Sequence, residues 1–394
     1  MFLRTSTILF IFIFLILCVN IYFIKNEYFQ EFDNSNNLAI SKEEYITYLP
    51  HSGFSNQRIE LENAIFLAWF LNRTLIIPPI LFFEGDATSM WLPYDELYNF
   101  LSQFMLPDRN KFKFCLENGT ELTYTMYNWD ELLDFTFLKH HIKYINRQNF
   151  NYEYLLNSLH IYNNSETYNV TKDEYKYQQQ YFDDAKSTIK LDRFKERVNL
   201  IDLSKRTEKL INFASVFASN RIVRQLPESN EFWNKFISKT LPNNPTLINI
   251  TDKIVDKLGG IDSFIGLHAR LKDNVYLMNQ NNTVQSLIKR IKTDFKGDVC
   301  LKTKIFLATD IKRDHISIQP FIQTFSSCIN ILDDFKDLLE PLNFLKNPRD
   351  GIIMYEFLVP LVDLLVASKG NKFYGTSGST FSRYAKQLHN AWIR

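Results

Sequence analysis

The sequence predicts an α/β protein with sheet-forming segments in both halves. Residues 45–79, YITYLPHSGFSNQRIELENAIFLAWFLNRTLIIPP, read in succession as strand, loop, helix and strand. The last third holds further short apolar runs, Phe264–Leu267, Lys304–Asp310 and Lys372–Gly375, each passing into polar or glycine-bearing residues. Apolar stretches of helical length lie between them, Met354–Ala367 above all. Strands that alternate with helices argue for parallel sheets.

In the first unit, Tyr45–Leu49 is aromatic and β-branched, and Pro50 ends it. His51-Ser52-Gly53 is then a turn in which Gly53 is free to take positive φ and pass close to a ligand. From Asn56 the period becomes helical. Ile59, Leu61, Ala64, Ile65, Ala68 and Trp69 recur at its spacing, with Arg58, Glu60 and Glu62 in polar first turns. Leu75–Ile77 is a second strand, stopped by Pro78-Pro79. A strand-to-helix loop presents backbone N–H groups, which suits an anionic or sugar ligand. Every such unit has that loop, so geometry by itself does not define function.

At 394 residues and 46.7 kDa the chain has room for two domains. Forty-five basic residues against 44 acidic leave a net charge of +1, which points to no nucleic acid and no polyanionic partner. Thr5–Ile24 carries no charge and is about the length of a membrane-spanning helix. Arg4 lies before it, and Glu27, Glu31 and Asp33 follow. That polarity puts the body in the lumen, as a single-pass type II protein of the endoplasmic reticulum or Golgi. A cleaved signal peptide is the alternative reading, although no small-residue cleavage site ends the run. The expected organisation is residues 1–25 as tip and anchor, 26–43 as stem, 44–229 as one domain and 230–394 as another.

A luminal body predicts glycosylation acceptors, and Asn118, Asn163, Asn169, Asn249 and Asn281 each open an Asn-x-Ser/Thr triplet. Asn72 opens another but is expected to pack at the entry to a core strand. Cys300 and Cys328 bracket a strand-like segment and are candidates for a disulfide; three buried thiols, with Cys115, is the other reading. His140-His141 is a poor metal pair, because adjacent residues face different ways and no third ligand has useful spacing.

Between Pro107 and Gln180 no period is sustained. Trp91–Tyr98 reads as a loop into a short helix, either walling a cleft or capping the core. Val198–Leu203 reads as a strand and Glu208–Ala218 as a helix. Asn230–Leu241 and Asn249–Leu258 read as helices, the latter closed by Gly259-Gly260, and Thr283–Asp294 as another. Phe325–Leu332 is strand-like. FIGLHAR, Phe264–Arg270, places His268 and Arg270 on the same side of a strand at its C-terminal end, where open α/β sheets hold ligands. An arginine there fits a diphosphate and fits equally a strand-end ion pair. Asp310 reaches the same edge. Asp363 is the acid within the apolar body of its long helix, placed either to bind a base edge or to pair within the fold. Thr376-Ser377-Gly378-Ser379-Thr380-Phe381-Ser382 runs into the last helix as a second anion-binding loop or a simple cap.

GFSNQR with its helix and LNRTLIIPP, then His-x-Arg, then the Gly-Thr-Ser and Ser-Thr-Phe-Ser run, resemble in order the GDP-fucose protein O-fucosyltransferase family. The resemblance implies a GT-B architecture, two Rossmann-like domains facing across a cleft. It implies GDP-fucose as donor, inverting transfer to a protein or glycan hydroxyl, and no metal or other cofactor. Asp-x-Asp, the mark of metal-dependent sugar transferases, is also absent from the sequence. By the same resemblance Arg270, with the N–H groups of Thr380 and Phe381 and the Ser379 and Ser382 hydroxyls, meets the diphosphate, and His268 orients ribose or phosphate. Asp363 reads guanine, and Gly53, Phe54 and Asn56 complete the donor and sugar contacts. Where the family carries a Glu or an Arg, this chain has Ser52 and Gly53, so His51 and Glu60 are the candidate bases. A catalytically silent binder of nucleotide sugar or glycan, or a transferase for another nucleotide sugar, is the alternative.

Overall fold

The computed structural model describes residues 43–84, 101, 112–115, 121–170, 177–191, 193–272, 274–295 and 297–392. The apolar run Thr5–Ile24, the stem, the Trp91–Tyr98 segment and Asn118 lie outside these residues. Among the described residues no helix is long and apolar enough to cross a membrane.

The first-half strands are β1 (Tyr45–Thr47), β2 (Thr74–Ile77), β3 (Ile80–Glu84), β4 (Phe112–Cys115), β5 (Glu121–Tyr127), β6 (Tyr144–Asn146), β7 (Thr167–Val170), β8 (Gln179–Phe182), β9 (Glu196–Asn199), β10 (Leu210–Phe213) and β11 (Ile222–Val223). Five make a parallel sheet in the order β6-β2-β1-β10-β7. A second parallel sheet runs β11-β8-β9, and β3-β5-β4 is antiparallel. The second half carries β12 (Phe264–Ala269), β13 (Lys304–Thr309), β14 (Ile329–Ile331) and β15 (Lys372–Gly375), all parallel, in the order β14-β13-β12-β15. The longer helices are α1 (Phe54–Leu71), α2 (Pro227–Lys239), α3 (Pro245–Lys257), α4 (Gln280–Asp294), α5 (Tyr355–Ser368) and α6 (Thr380–Trp392).

The central strands are short apolar runs buried end to end, as parallel strands covered on both faces must be. Burying one large apolar side chain contributes roughly 1.5–3 kcal/mol. One apolar core draws on both halves, from Ile46 and Ile65 through Phe232 to Val362 and Ala385.

Several sequence expectations are corrected here. Glu208–Ala218 is not a helix: Leu210–Phe213 is a strand between β1 and β7. Its four residues are all buried, and so short an apolar run has no period that separates strand from helix. In Val198–Leu203 the strand ends at Asn199, whose side chain accepts from Ile201 N at 2.9 Å and caps a helical turn over Leu200–Leu203. The Phe325–Leu332 strand narrows to Ile329–Ile331. Helices α2 and α3 start earlier than expected, with Pro227 and Pro245 as their first residues, where proline's fixed φ is already helical. Asn72 is exposed; it closes α1 with φ +51° instead of packing on a core strand.

Cys300 and Cys328 form a disulfide. Asn163, Asn249 and Asn281 are exposed acceptor positions. Asn169 is exposed too, but its side-chain oxygen is engaged by Asn212 at 3.0 Å and Tyr152 at 3.2 Å.

Gly266 lets α5 press directly on β12: a Cβ there would lie 1.8 Å from the Ala367 carbonyl oxygen. Backbone cannot retreat as a flexible side chain does. Gly266→Ala is therefore expected to cost about 3 kcal/mol or more, or to prevent folding, measured as the urea midpoint or as loss of soluble protein.

Candidate functional site

The carboxyl edge of the second-half sheet collects most of the predicted residues. After β12 the backbone N–H of Arg270 donates to the Thr376 hydroxyl at 3.0 Å, and Thr376 in turn bonds the His268 carbonyl through both N–H and hydroxyl. Arg270 is partly exposed, and its Nε lies 3.2 Å from Asp310 at the end of β13. Asp310 also accepts from the backbone N–H groups of Leu271 and Lys272, at 2.9 and 3.1 Å. The strand-end ion pair and the cationic site are thus the same group: Asp310 orients the arginine at the ligand edge.

His268 is buried, stacked on Phe381 with ring centres 4.4 Å apart, and its Nδ1 is 2.5 Å from the Ser382 hydroxyl. Burial, helped by the Arg270 charge, pushes its pKa down to about 3, so it is a neutral imidazole at physiological pH. The Ser379 hydroxyl accepts from Ser382 N at 3.3 Å. Ser379 and Ser382 are both buried, and each already makes one contact inside the loop; the Ser379 hydroxyl, which accepts there, keeps its proton to donate. Helix α6 starts here, and a helix start leaves its first N–H groups without intrahelical partners, those of Thr380 and Phe381 among them.

Asp363 lies on α5 where that helix presses on β12. Its Oδ2 accepts from Thr309 N at 3.1 Å, while Oδ1 is buried with no hydrogen-bond partner among the described residues. Burial holds this carboxyl well above the usual range; the Thr309 N–H pulls it back, and Asp333 and Asp310 push it further up. Buried acceptors are normally satisfied.

The first-half candidates divide. Glu60 is wholly buried: its carboxylate accepts from His51 N at 2.8 Å, faces His51 Nδ1 at 3.1 Å and accepts from the Ser215 hydroxyl at 3.3 Å. It anchors His51 from behind, and the two base candidates are thus a buried, hydrogen-bonded pair. The turn does not use Gly53 as expected. Gly53 is extended (φ −73°), and the positive φ of +59° belongs to Ser52. No atom stands within 4 Å of where a Gly53 Cβ would be, so the glycine leaves open space there. Phe54 is partly buried and its ring packs against Phe82, Trp129 and Tyr384, with ring centres 5.6–6.3 Å apart, so the side chain is turned to the core. Asn56 is half-buried; its Nδ2 donates to the Ser52 hydroxyl at 2.8 Å and its Oδ1 has no partner among the described residues.

Thr309 and Gln57 also hold this site and were not singled out from sequence, whereas Thr376 belongs to the predicted anion-binding loop. A hydroxyl residue closing a buried strand was the available signal for Thr309. Among the described residues no group of three or more His, Cys, Asp and Glu is placed to hold a metal ion, His140 and His141 included.

A parallel sheet whose carboxyl edge bears an arginine, a helix start and a buried, half-satisfied acid has the layout of a nucleotide-binding α/β protein. The profile of the GDP-fucose protein O-fucosyltransferase family matches residues 45–390, and the chain belongs to that family. A segment of 39 residues is 62% identical to O-fucosyltransferase 30 of Arabidopsis thaliana; the match spans 10% of this chain and 8% of that relative. Among solved structures, POFUT1 in complex with GDP-fucose is 12% identical with a TM-score of 0.44, covering 89% of this chain and 95% of that one. NodZ alpha-1,6-fucosyltransferase soaked with GDP-fucose is 13% identical with a TM-score of 0.42, covering 88% and 92%.

Asp363→Asn separates stability from binding. A carboxyl whose folded pKa is raised gives its full stability below its unfolded pKa and loses it as pH rises toward the folded value. The variant is expected to unfold at a higher temperature than the parent at pH 7–8, with the gap closing toward pH 4. Nucleotide affinity is expected to drop roughly tenfold or more, the 1.4 kcal/mol of one charged hydrogen bond. Thermal melts across pH and calorimetry with GDP check both.

Proposed function

We propose that the protein moves fucose from GDP-fucose to a hydroxyl of a protein or glycan, with inversion and without a metal ion, across the cleft of a GT-B arrangement of two Rossmann-like halves. The observation that carries the reading is the unpartnered Asp363 Oδ1. A buried acceptor among like charges calls for N–H donors, and the guanine edge offers N1–H and the N2 amino group. Family membership supplies the sugar. The acceptor oxygen attacks the anomeric carbon opposite the diphosphate, the bond from that carbon to the diphosphate oxygen breaks, and GDP leaves with the charge. Arg270 and the first turn of α6 stand where that charge develops. His51 takes the acceptor proton, and Asn56 positions the sugar or acceptor. The proposed setting is the lumen of the endoplasmic reticulum or Golgi, anchored by Thr5–Ile24; the Cys300–Cys328 disulfide and the exposed Asn-x-Ser/Thr sites support it.

A second reading, a nucleotide-sugar or glycan binder without transfer activity, is favoured by one observation: both base candidates are buried.

Calorimetry on the full chain with GDP-fucose, GDP-mannose, UDP-galactose and GDP, with and without chelator, tests the donor. GDP and GDP-fucose are expected to bind alike with or without chelator. Arg270→Ala is expected to weaken both roughly 10- to 100-fold, the loss of one or two charge-assisted hydrogen bonds. Binding without slow GDP release or transfer favours the silent binder, and folded protein that binds none of the four nucleotides sinks the site assignment.

A further inference from the structure

Four buried polar atoms without a hydrogen-bond partner among the described residues belong to three side chains that line one small cavity. They are Nε and Nη2 of Arg58, Oγ1 of Thr240 and the hydroxyl of Tyr384. The rest of the wall includes Glu62 and the apolar Leu61, Leu133, Phe236 and Ile237. Each side chain comes from a different element: Arg58 from α1, Thr240 from the end of α2, Tyr384 from α6. Arg58 is 2% exposed and its guanidinium carbon lies 4.1 Å from the centre of the Tyr384 ring. Nη1 is engaged by Glu62 and by Gln387 Oε1, the latter at 3.3 Å. A guanidinium only donates, so Nε and Nη2 each require an acceptor, and a buried donor left without one costs about 1–3 kcal/mol.

We infer that this cavity is a binding site for a single water molecule. That water accepts from Arg58 Nε and Nη2 and donates to Thr240 Oγ1 and the Tyr384 oxygen, so one molecule satisfies all four atoms. The cavity measures about 10 Å³, near the least volume that admits a water, and four polar partners are the most that a buried water takes. A small anion is the competing occupant. The Arg58 charge is already met by Glu62 beside it, so the site needs acceptors and donors in equal number and no further negative charge.

The position gives the water a task. Helix α1 begins at the Ser52–Asn56 loop and α6 begins at Thr380–Ser382, the two helix starts that face the proposed ligand. The water joins them one to two turns inside, together with α2. Ile237 also lines an open pocket of about 380 Å³ between α2 and α6, so a single side chain borders both the cavity and the open pocket.

A crystal structure of the full chain at about 1.6 Å or better tests the site. A single density peak 2.6–3.2 Å from at least three of the four atoms is expected. An anomalous peak at that place after bromide soaking assigns an anion and overturns the proposal, as does a cavity closed by direct contact between the side chains. In solution, Thr240→Ser keeps the acceptor and is expected to melt within about 1 °C of the parent. The near-isosteric Thr240→Val removes it and is expected to melt roughly 2–6 °C lower. Equal melting of the Val and Ser variants overturns the assignment of Thr240 as a water ligand.

Discussion

The molecule depends first on α1 and the polar side chains it buries. Burying an amide or a carboxylate is costly unless each polar atom finds a partner. Gln57 donates to the carbonyls of Ser52 and Leu81, each at 2.7 Å, and accepts from Leu81 N at 2.8 Å. Glu60 takes the backbone N–H of His51, and Asn63 donates to the carbonyls of Val216 and Ala218. Their partners are mostly backbone groups of the turns that follow β1 and β10 and of the start of β3. The register of one helix therefore sets the turn ahead of Asn56, the strand beside it and the loop that follows β10. This is also why the polar first turns, which resemble a solvated helix end in sequence, are buried: they face loops instead of water.

The second half is organised by a close backbone approach. A Cβ on Gly370 would meet the Gly266 nitrogen at 2.6 Å, and one on Gly266 would meet Ala367 O, so two glycines let α5 lie against β12. Asp363 sits one helical turn before Ala367, and that approach carries it to the end of β13, where Thr309 N–H reaches it. The same edge receives Arg270 from β12 and, through Thr376, the turn after β15. Packing, not local propensity, brings the Arg270 cation together with an acid and a helix start that lie further along the chain, at Asp363 and Thr380.

That division explains what was legible in the sequence. The second-half strands could be read because each apolar run stops at a charged or glycine residue, so strand end and candidate site coincide at Arg270, Asp310 and Gly375. Strand β10 could not, since Leu-Ile-Asn-Phe has no neighbouring punctuation and its identity comes from pairing with β1 and β7. The antiparallel β3-β5-β4 sheet was hidden because its order is set by partners distant in sequence. Side-chain direction was hidden too. Phe54 sits inside the motif, yet packs on Trp129 and Tyr384, and Ser379 and Ser382 turn inward. Spacing predicts which residues reach an edge; which of them face the ligand depends on neighbours that spacing does not encode.

Two buried oxygens without partners, Asn56 Oδ1 and Asp363 Oδ1, belong to the site as sequence predicts it, one from each half. Both are acceptors. Elsewhere α1 satisfies its buried amides completely at Gln57 and pairs the Asn63 amide nitrogen twice, so the fold is able to meet such demands. Leaving an acceptor unmet lowers the stability of the free protein, and a ligand that brings N–H or O–H groups recovers that loss on binding. A sugar hydroxyl suits Asn56, and the edge of a purine that carries N–H groups suits Asp363. In the proposed transferase the two halves would take different ends of one molecule, a nucleoside joined to a sugar through an anionic linker held by Arg270 and the start of α6.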